Sequence, residues 1–562
     1  MFKEVSMKKS VAATILAISM AAVISGCSKP AEPAATTAAP AAETAAAAAT
    51  ETTAAPAAET AAAAAETSSA GKTELNVAVE LMATTNEASI DWDSWYVQRY
   101  GVAECLVRNG DSGSFEPWLA ESWEVADDNL TWTFKLRDDV KFSNGVDMTA
   151  TKVVESIERL YDITDPENGG NGLPQGYMTY SSISADDAAG TVTIVTENPT
   201  PDMPGVVAYP WMFIMDVEGS KDIDTVAMAP VCTGPYVMTS FTEGLSSELV
   251  RNEYYYDDVP FEKVNIMRVA ESASRTMALQ DGSADMAINI AAADQELLES
   301  DSNITVDRAA GSRICVTFMN FENKFLADKT LRDAINMAID GETIASVTTR
   351  NAYLYGFAPV PSSYDFGYDE LTNPTPYDVD AAVKLLDDAG IVDNDGDGIR
   401  ELNGENIELN YVVQANRSMD LIGQAISAQL ADIGIAAPIQ LVEHLNDYLS
   451  NKNYDLINAS YVTMPTGDPG SFFSHWRTDF IDNYCGYSNS EFDETFDAMK
   501  GEFDAAKRRE YIIKLQQILL DDSAMHVNGY FTTNIAYTNK IKDVFNNPSD
   551  FYWVNKNIKP AE

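Results

Sequence analysis

The sequence predicts an α/β protein with two or three lobes, on three observations. A chain of 562 residues, 45% of them hydrophobic and 10% aromatic, is too long for one ordinary core. From Leu75 onward, short segments with strand-like alternation are interspersed with segments of helical periodicity. Beyond the first thirty residues, no uncharged apolar stretch is long enough to cross a bilayer. The main body of the chain is therefore predicted to lie outside the membrane.

Alternation of apolar side chains predicts the strands. In the first strand, Leu75, Val77 and Val79 are separated by polar or small residues, which places them on one face. The segment TWTFKL alternates in the same way and carries Trp132, Phe134 and Leu136. Further strands are predicted at residues 263–270, 407–413 and 454–459.

Helices are predicted where apolar residues recur at intervals of three and four. Asp328 can cap a helix with an apolar stripe over 331–339, because a carboxylate accepts the free amide hydrogens of a first turn. Ser418 can cap a second helix, which Gly434 would end in the left-handed conformation. A third helix is predicted from about 504 to 520.

The N-terminus has the features of a bacterial lipoprotein signal. Lys8 and Lys9 precede an uncharged apolar run over 11–24, which is too short to be a membrane span. The run ends in ISGC, which resembles a lipobox, so we expect lipidation of Cys27. Two or three acyl chains attach a protein durably to a membrane where one does not. An ordinary secretory signal that contains a cysteine is the alternative.

Residues 28–72 are a low-complexity tract of Ala, Thr, Pro and Glu. Within it, 36–49 and 52–65 are the same sequence, TTAAPAAETAAAAA. A tract with so few large apolar side chains cannot bury a core, so it is predicted to be disordered. As a coil of about 45 residues it would span roughly 35–40 Å, which suits a tether.

The charge of the chain excludes one class of partner. Lys and Arg total 37 against 86 Asp and Glu, a formal net charge of −49. Such a surface repels phosphates, so no nucleic acid partner is predicted.

The remaining cysteines give no sign of a metal or redox site. Cys105, Cys232, Cys315 and Cys485 have no CxxC spacing. Three disulfide pairings are possible in an oxidising compartment, and isolated buried thiols are the favoured interpretation.

Catalytic motifs are absent from the sequence. It contains no GxSxG, HExxH or P-loop pattern, and His444, His475 and His526 lack metal-ligand spacing. We therefore predict a binding protein without a cofactor or metal. A hydrolase with paired carboxylates stays open, because 86 acidic residues make such pairs inevitable.

Several motifs follow one another in a fixed order. They are PWLAESWEV at 117–125, LTWTFKLR at 130–137, TGPY at 233–236, LRDA at 331–334 and NYCGYSN at 483–489. With further matches between about 75 and 545, they resemble the family-5 extracellular solute-binding proteins of peptide and nickel ABC importers. Each motif also has a structural explanation as a turn or a packed face, so function must be argued from the site.

The resemblance implies a two-lobed fold like that of periplasmic binding proteins of class II, with an extra β-rich subdomain. Residues 73–106, 231–316 and 535–562 would form lobe I, with 107–230 inserted as the subdomain. Residues 317–534 would form lobe II. A solute would bind in the cleft between the lobes and be enclosed by hinge closure.

The loop after the strand at 454–459 is the first candidate for solute contacts. It offers Tyr461, Thr463 and Asp468. In peptide-binding members the equivalent loop carries an Asp that pairs with the peptide ammonium, and the resemblance puts that position at Pro465. The ammonium anchor is thus missing or relocated, which leaves room for modified peptides, sugars or other solutes. Asp468 is equally explained as a turn residue.

Aromatic residues and one arginine complete the candidate set. Trp92, Trp95, Trp476 and Tyr484 could form apolar walls, although many aromatic residues belong to the core. Arg417 lies between a predicted strand and a helix, where a solute carboxylate could meet both its guanidinium and the helix N-terminus. A solvated arginine is the alternative.

The segment DNDGDG at 393–398 has calcium-loop spacing in its first positions. An EF-hand needs Glu at the twelfth place, and that place is Gly404. A turn between a helix and a strand is therefore favoured over a calcium site.

Together these features predict a monomeric, lipid-anchored protein on the outer face of the cytoplasmic membrane. It would capture peptides or peptide-like solutes and deliver them to the permease and ATPase subunits of an ABC importer. The alternatives are a carrier of a chelated metal or another non-peptide solute, a secreted hydrolase, and a sensory or adhesive lipoprotein.

Overall fold

The computed structural model describes residues 72–87, 94–110, 114–221 and 228–561. The predicted signal segment with Cys27, the tether up to residue 71 and Trp92 lie outside the described residues. Within the described part of the chain, no helix has both the length and the apolar character needed to cross a membrane.

Strands and helices are interspersed along the described chain, as the periodicities predict. The strands are β1 Glu74–Val79, β2 Val107–Asn109, β3 Phe115–Pro117, β4 Ala120–Val125, β5 Thr131–Leu136, β6 Tyr180–Asp186, β7 Thr191–Thr196, β8 Tyr236–Thr242, β9 Ser246–Arg251, β10 Lys263–Arg268, β11 Met286–Ile288, β12 Ile304–Met319, β13 Tyr353–Leu354, β14 Glu401–Leu402, β15 Glu405–Asn406, β16 Tyr411–Gln414, β17 Ile439–Val442, β18 Leu456–Val462, β19 Met525–Thr538, β20 Ile541–Lys542 and β21 Lys559–Pro560. The α-helices are α1 Ser94–Arg99, α2 Ala150–Thr164, α3 Leu173–Tyr177, α4 Met203–Ala208, α5 Val217–Ser220, α6 Ser272–Asp281, α7 Ala292–Glu299, α8 Lys329–Ala338, α9 Gly341–Thr343, α10 Val379–Asp388, α11 Met419–Asp432, α12 Asn446–Ser450, α13 Ser490–Lys500 and α14 Ala505–Asp521. Shorter helical turns are Pro166–Asn168, Pro210–Met212, Ile344–Thr348, Tyr368–Glu370 and Pro469–Trp476.

One large mixed sheet dominates the architecture. Eleven strands of the described chain form it in the order β17-β16-β18-β12-β19-β11-β1-β10-β9-β8, and β13 pairs with β19. The pairs of β1 with β10 and β11 are parallel, as are those of β16 with β17 and β18, whereas the others are antiparallel. A separate four-stranded sheet has the order β4-β5-β7-β6 and contains the TWTFKL segment.

The long strands β12 and β19 hold the two halves of the large sheet together. They pair antiparallel from Ile304 opposite Thr538 to Phe318 opposite Met525, with register shifts along the way. Two of the predicted domain boundaries, after residues 316 and 534, fall inside these strands. The chain therefore crosses between the two halves of the sheet within continuous β-structure.

The second half of β12 is buried on both faces. Ile314, Val316 and Phe318 pack into one hydrophobic cluster, and Cys315 and Met319 pack into another on the opposite side. Burial on both faces explains why ICVTFM reads as an almost continuous apolar run.

A buried polar network fixes the register where β12, β18 and β19 meet. The Thr317 hydroxyl donates to Asn458 Oδ1 at 2.6 Å, and Asn528 Nδ2 donates to Thr317 Oγ1 at 2.9 Å. The hydroxyl of Tyr411 on β16 also donates to Asn458 Oδ1, at 2.7 Å. Sliding any of these strands by one residue would leave buried polar groups without partners.

The predicted helix starts had different outcomes. Asp328 accepts a hydrogen bond from the Thr330 amide at 2.8 Å, so its role as the cap of α8 is confirmed. Ser418 stands at the start of α11 but has a φ of 59° and makes no side-chain cap, so that prediction was wrong. The strand expected over 407–413 begins only at Tyr411, and the strand expected over 454–459 begins at Leu456 and extends to Val462.

Isolated thiols are confirmed in the described structure. Cys105, Cys232, Cys315 and Cys485 are all buried, and none forms a disulfide.

Candidate functional site

A cavity of about 130 Å³ lies beside the middle of β12 and β19. Gly311, Ser312 and Arg313 on β12 and Phe531 on β19 form one side of it. At this point the pairing of the two strands is interrupted between Ala310 and Ile314. A bulge bends a strand and leaves ladder groups unpaired, which makes room for a cavity in an otherwise closed sheet.

Aromatic side chains form another side of the cavity. Trp95 packs edge-on against Tyr209 and Phe551, with ring centroids 5.9 and 5.1 Å apart, and Tyr209 and Phe551 are 5.6 Å apart. All three rings line the cavity together with Tyr364. These rings give a solute rigid apolar contact area.

The end of β18 and the loop after it line the cavity, but with different residues from those that the sequence suggested. Val462 and Met464 line the cavity, whereas Tyr461 and Thr463 do not. Tyr461 packs against His475 at a centroid distance of 4.7 Å, and Thr463 is fully buried. Successive side chains of an extended strand point to opposite faces, so an error of one residue selects the wrong face.

Pro465 lines the cavity, at the position that the resemblance assigns to the ammonium partner. A proline side chain offers no charge and no hydrogen-bond acceptor there. The residue at this position of the cavity wall therefore supplies no partner for a solute ammonium.

Asp468 has a structural role. Its Oδ1 accepts from the Gly470 amide at 2.7 Å, and both carboxylate oxygens accept from Arg508, each at 2.7 Å. The side chain is buried, and its oxygens are occupied by this cap and this ion pair. The turn interpretation of Asp468 thus agrees with the geometry.

Trp476, Tyr484 and Arg417, which the structure describes, lie outside the cavity lining. Trp476 is fully buried and packs on Phe318 and Phe472 in the core, which corrects its expected position in a wall. Tyr484 is half-buried, donates to Asp482 and lies outside the cavity lining. Arg417 is exposed with a φ of 46°, and its carbonyl accepts from the Tyr353 hydroxyl at 2.9 Å.

Sequence reasoning missed several residues of the cavity. Asn109, Tyr209, Arg313, Phe531 and Phe551 all line it, and they come from distant parts of the chain. The sequence does carry one signal for them. Arg313 directly precedes the apolar run of β12, and a charged residue is unusual next to a buried strand. The others depend on the register of β12 and β19 and carry no local signal.

Among the described residues that line the cavity, the one carboxylate belongs to Asp550, and it is already paired with a cation. Asp550 forms an ion pair with Arg99 and accepts from Trp553 Nε1 at 2.6 Å. The Arg99 Nε also donates to the Asp550 carbonyl at 2.7 Å. Asp550 therefore closes a structural contact between α1 and the C-terminal segment.

Comparison with known proteins assigns the chain to a family. Residues 114–484 match the middle region of the bacterial extracellular solute-binding proteins, family 5. The chain belongs to this family. The fold is accordingly the two-lobed α/β fold of periplasmic binding proteins, as the resemblance implied, and the protein is the solute-binding component of an ABC importer.

Relatives in this family bind different solutes. The chain is 25% identical to the nickel-binding protein NikA of Staphylococcus aureus over 466 residues, which covers 81% of this chain and 88% of NikA. It is 24% identical to the dipeptide-binding protein DppE of Bacillus subtilis over 496 residues, covering 81% and 87%. A crystal structure of a nickel ABC transporter from Bacillus halodurans superposes with a TM-score of 0.77 at 25% identity, covering 87% of this chain and all of that one.

The acidic loop of this family-5 protein closes a turn. Asp393, Asp395 and Glu401 have carboxylate oxygens within 4.8 Å of one another, so the third acid is the ninth residue of the loop rather than the twelfth. Asp393 accepts the amides of Gly396 and Gly398, which lower its pKa, and Glu401 accepts that of Asn394 at 2.8 Å. Backbone amides thus already bind these acids, as the turn interpretation requires.

Loss of the Asp468 carboxylate is expected to destabilise the fold. In the Asp468→Ala protein, Arg508 would stay buried without its partner, which costs about 3–5 kcal/mol of unfolding free energy. Urea denaturation followed by tryptophan fluorescence measures the change. The matched control is Asp365→Ala, which breaks the exposed pair with Arg509 and should cost about 1 kcal/mol or less. Equal losses in the two variants would contradict the structural role of Asp468.

Proposed function

We propose that this solute-binding protein captures a small peptide or peptide-like molecule in the cavity beside β12 and β19. The observation that carries the proposal is the interruption of the β12–β19 ladder at Gly311–Arg313. It opens a cavity at the only place where both halves of the large sheet meet in the described structure, and aromatic rings line it. Such sites between domains are typical of solute pockets.

The size of the cavity favours a compact solute. Its volume of about 130 Å³ is below the roughly 300–1,000 Å³ of pockets for drug-sized ligands. A single residue or a short peptide fits this space better than a long peptide.

Contacts on one side of the cavity support closure around the solute. Gly205 of α4 lies so near Thr466 that an added Cβ would come 1.8 Å from the Thr466 carbonyl oxygen. The Thr466 hydroxyl donates to Asp202 at 3.3 Å. These segments belong to the subdomain and lobe II of the proposed domain division, so their contact corresponds to a closed form.

A chelated metal is the second candidate, because one relative is a nickel-binding protein. Among the described residues, the three histidines His444, His475 and His526 lie outside the cavity lining. Burial lowers the pKa of His526 to about 4 and also lowers that of His475. A metal would therefore enter the cavity held by an organic chelator rather than by histidine side chains.

The cellular context is part of the same proposal. The protein would be held on the outer face of the cytoplasmic membrane by acylated Cys27, act as a monomer and release its solute unreacted. The permease and ATPase subunits of the importer would be its partners. The signal-like N-terminus and the family support this assignment.

Native mass spectrometry of the purified protein tests the solute class. A set of short peptide masses is expected to accompany the protein, and a discrete metal chelate would favour the second candidate. Small-angle scattering should show a smaller radius of gyration once the solute is added. Chemical conversion of the bound molecule, or unchanged dimensions at saturation, would contradict capture by closure.

Replacement of Cys27 is expected to release the protein from membranes. The Cys27→Ser chain cannot accept a thioether-linked lipid, so it should appear in the soluble fraction or the medium. Fractionation followed by immunoblotting measures this, with Cys105→Ser as the control because that thiol is buried. Membrane retention of Cys27→Ser would refute the anchor.

Closure is expected to be tighter at lower pH. Burial and the nearby Asp468 raise the pKa of Asp202 to about 6, although Arg508 opposes the shift. In an open form the exposed carboxyl would have an ordinary pKa of about 3.9. Because the closed form has the higher pKa, closure weakens as the pH rises from about 3.9 to about 6 and is then constant. The solute Kd should be about tenfold lower at pH 5 than at pH 7.

Asp202→Asn separates this effect from other titrations. The neutral amide should bind solute more tightly than wild type at pH 7 and lose the dependence between pH 5 and pH 7. Asp127→Asn, at an exposed turn, should keep the wild-type profile. Titration calorimetry measures both, and a pH dependence retained in Asp202→Asn would disprove the link.

A further inference from the structure

Arg313 is an incompletely satisfied charge in the cavity wall. Its half-buried guanidinium makes one long hydrogen bond, from Nη1 to Ser460 Oγ at 3.4 Å. Within the described residues it forms no ion pair, and the charged group that acts on it is Arg417, which is also positive. A guanidinium has five N–H donors, so one hydrogen bond leaves most of those of Arg313 without a protein acceptor in the described structure.

Other buried arginines in this protein donate several hydrogen bonds to backbone carbonyls. Arg275 donates to the carbonyls of Val269, Ala270 and Asn289. Arg332 likewise donates to the carbonyls of Leu326 and Asp522. Although Arg275 Nε is buried without a partner in the described structure, Arg275 and Arg332 each make several hydrogen bonds, whereas Arg313 makes one.

The surroundings of Arg313 make its positive charge unfavourable in free energy when no solute is bound. Burial and the positive charge of Arg417 lower the pKa of Arg313 to about 10, so it remains protonated at neutral pH. The neighbouring acid, Asp550, is neutralised by Arg99. The net charge of −49 on the whole chain acts little here, because salt screens charges more than about 8–10 Å away.

A second unsatisfied group lines the same cavity. Asn109 Oδ1 is buried and has no hydrogen-bond partner within the described structure. It can accept a hydrogen bond from a solute N–H. Arg313 and Asn109 line the cavity together with the rings of Trp95, Tyr209 and Phe551. This lining is complementary to a molecule with an anionic group, an N–H donor and an apolar part.

We propose that Arg313 is the anchor for a carboxylate of the solute. This inference rests on the proposed function and specifies what that cavity recognises. A carboxylate accepts two parallel N–H bonds from a guanidinium, and such charge-assisted pairs are strong where water is excluded. A short peptide with a free C-terminus satisfies Arg313 and Asn109 together, and so does an amino-acid chelate that keeps a free carboxylate.

Titration calorimetry with a matched pair of probes tests the anchor. The probes are the dipeptide Ala-Phe and its C-terminal amide, each titrated into wild type, Arg313→Gln and Arg268→Gln. Arg268 is an exposed strand arginine outside the cavity lining, so its variant should bind like wild type. Arg313→Gln should weaken Ala-Phe binding about tenfold to a hundredfold and change binding of the amide little.

The pattern across the probes decides the role of Arg313. If Arg313→Gln weakens the binding of Ala-Phe and of its amide equally, the assignment is overturned. The side chain would then shape the cavity without distinguishing a carboxylate from a neutral amide. If wild type binds neither dipeptide, the peptide part of the proposed function fails. The stability of the solute-free protein then decides on Arg313 alone.

Removing an unpaired charge should stabilise the empty protein. Solute-free Arg313→Gln is expected to melt about 1–3 °C above wild type, whereas Arg268→Gln should be unchanged. Differential scanning calorimetry of the full chain measures the two shifts. A lower melting temperature for Arg313→Gln would show that the guanidinium is satisfied within the protein and would refute the anchor.

Discussion

The antiparallel pairing of β12 with β19 is the constraint on which the rest of the structure depends. These two strands carry the chain between the two halves of one sheet, and the cavity lies where their ladder is interrupted. The buried network of Thr317, Asn458 and Asn528 fixes their register a few residues further along. A fixed register next to the local interruption keeps the cavity walls in place, although the register of the pair shifts once more between Cys315 and Val316.

Charges near the cavity divide into two groups. Asp468 with Arg508 and Asp550 with Arg99 are paired and join segments far apart in sequence. Arg313 has no such partner in the described chain. The first group joins segments around the cavity, whereas Arg313 lines the cavity that we propose as the solute site.

Local patterns in the sequence were sufficient for the α/β class and for several of its elements, whereas the two-lobed fold was predicted from the resemblance to the family. Asp328 caps its helix because that outcome needs only the next few residues. Ser418 failed as a cap because both it and Arg417 have the left-handed backbone conformation, which an N-cap residue does not normally adopt.

The cavity was less predictable because its walls depend on register. The loop after β18 was recognised, but the strand alternation placed Val462 rather than Tyr461 at the cavity. Trp476 was taken for a wall because an aromatic residue reads the same in a core and in a pocket. Trp95 was identified, while Tyr209 and Phe551 beside it could not be, since no sequence signal joins residues so far apart.

The position of β19 also constrains the order in which the molecule can assemble. This strand comes from the last part of the chain, yet it lies in the sheet interior between β12 and β11. A nascent chain that has emerged only as far as α14 has the outer strands of both halves but not the strand that joins them. Completion of the sheet must therefore wait for the C-terminal residues, and contacts so distant in sequence form slowly.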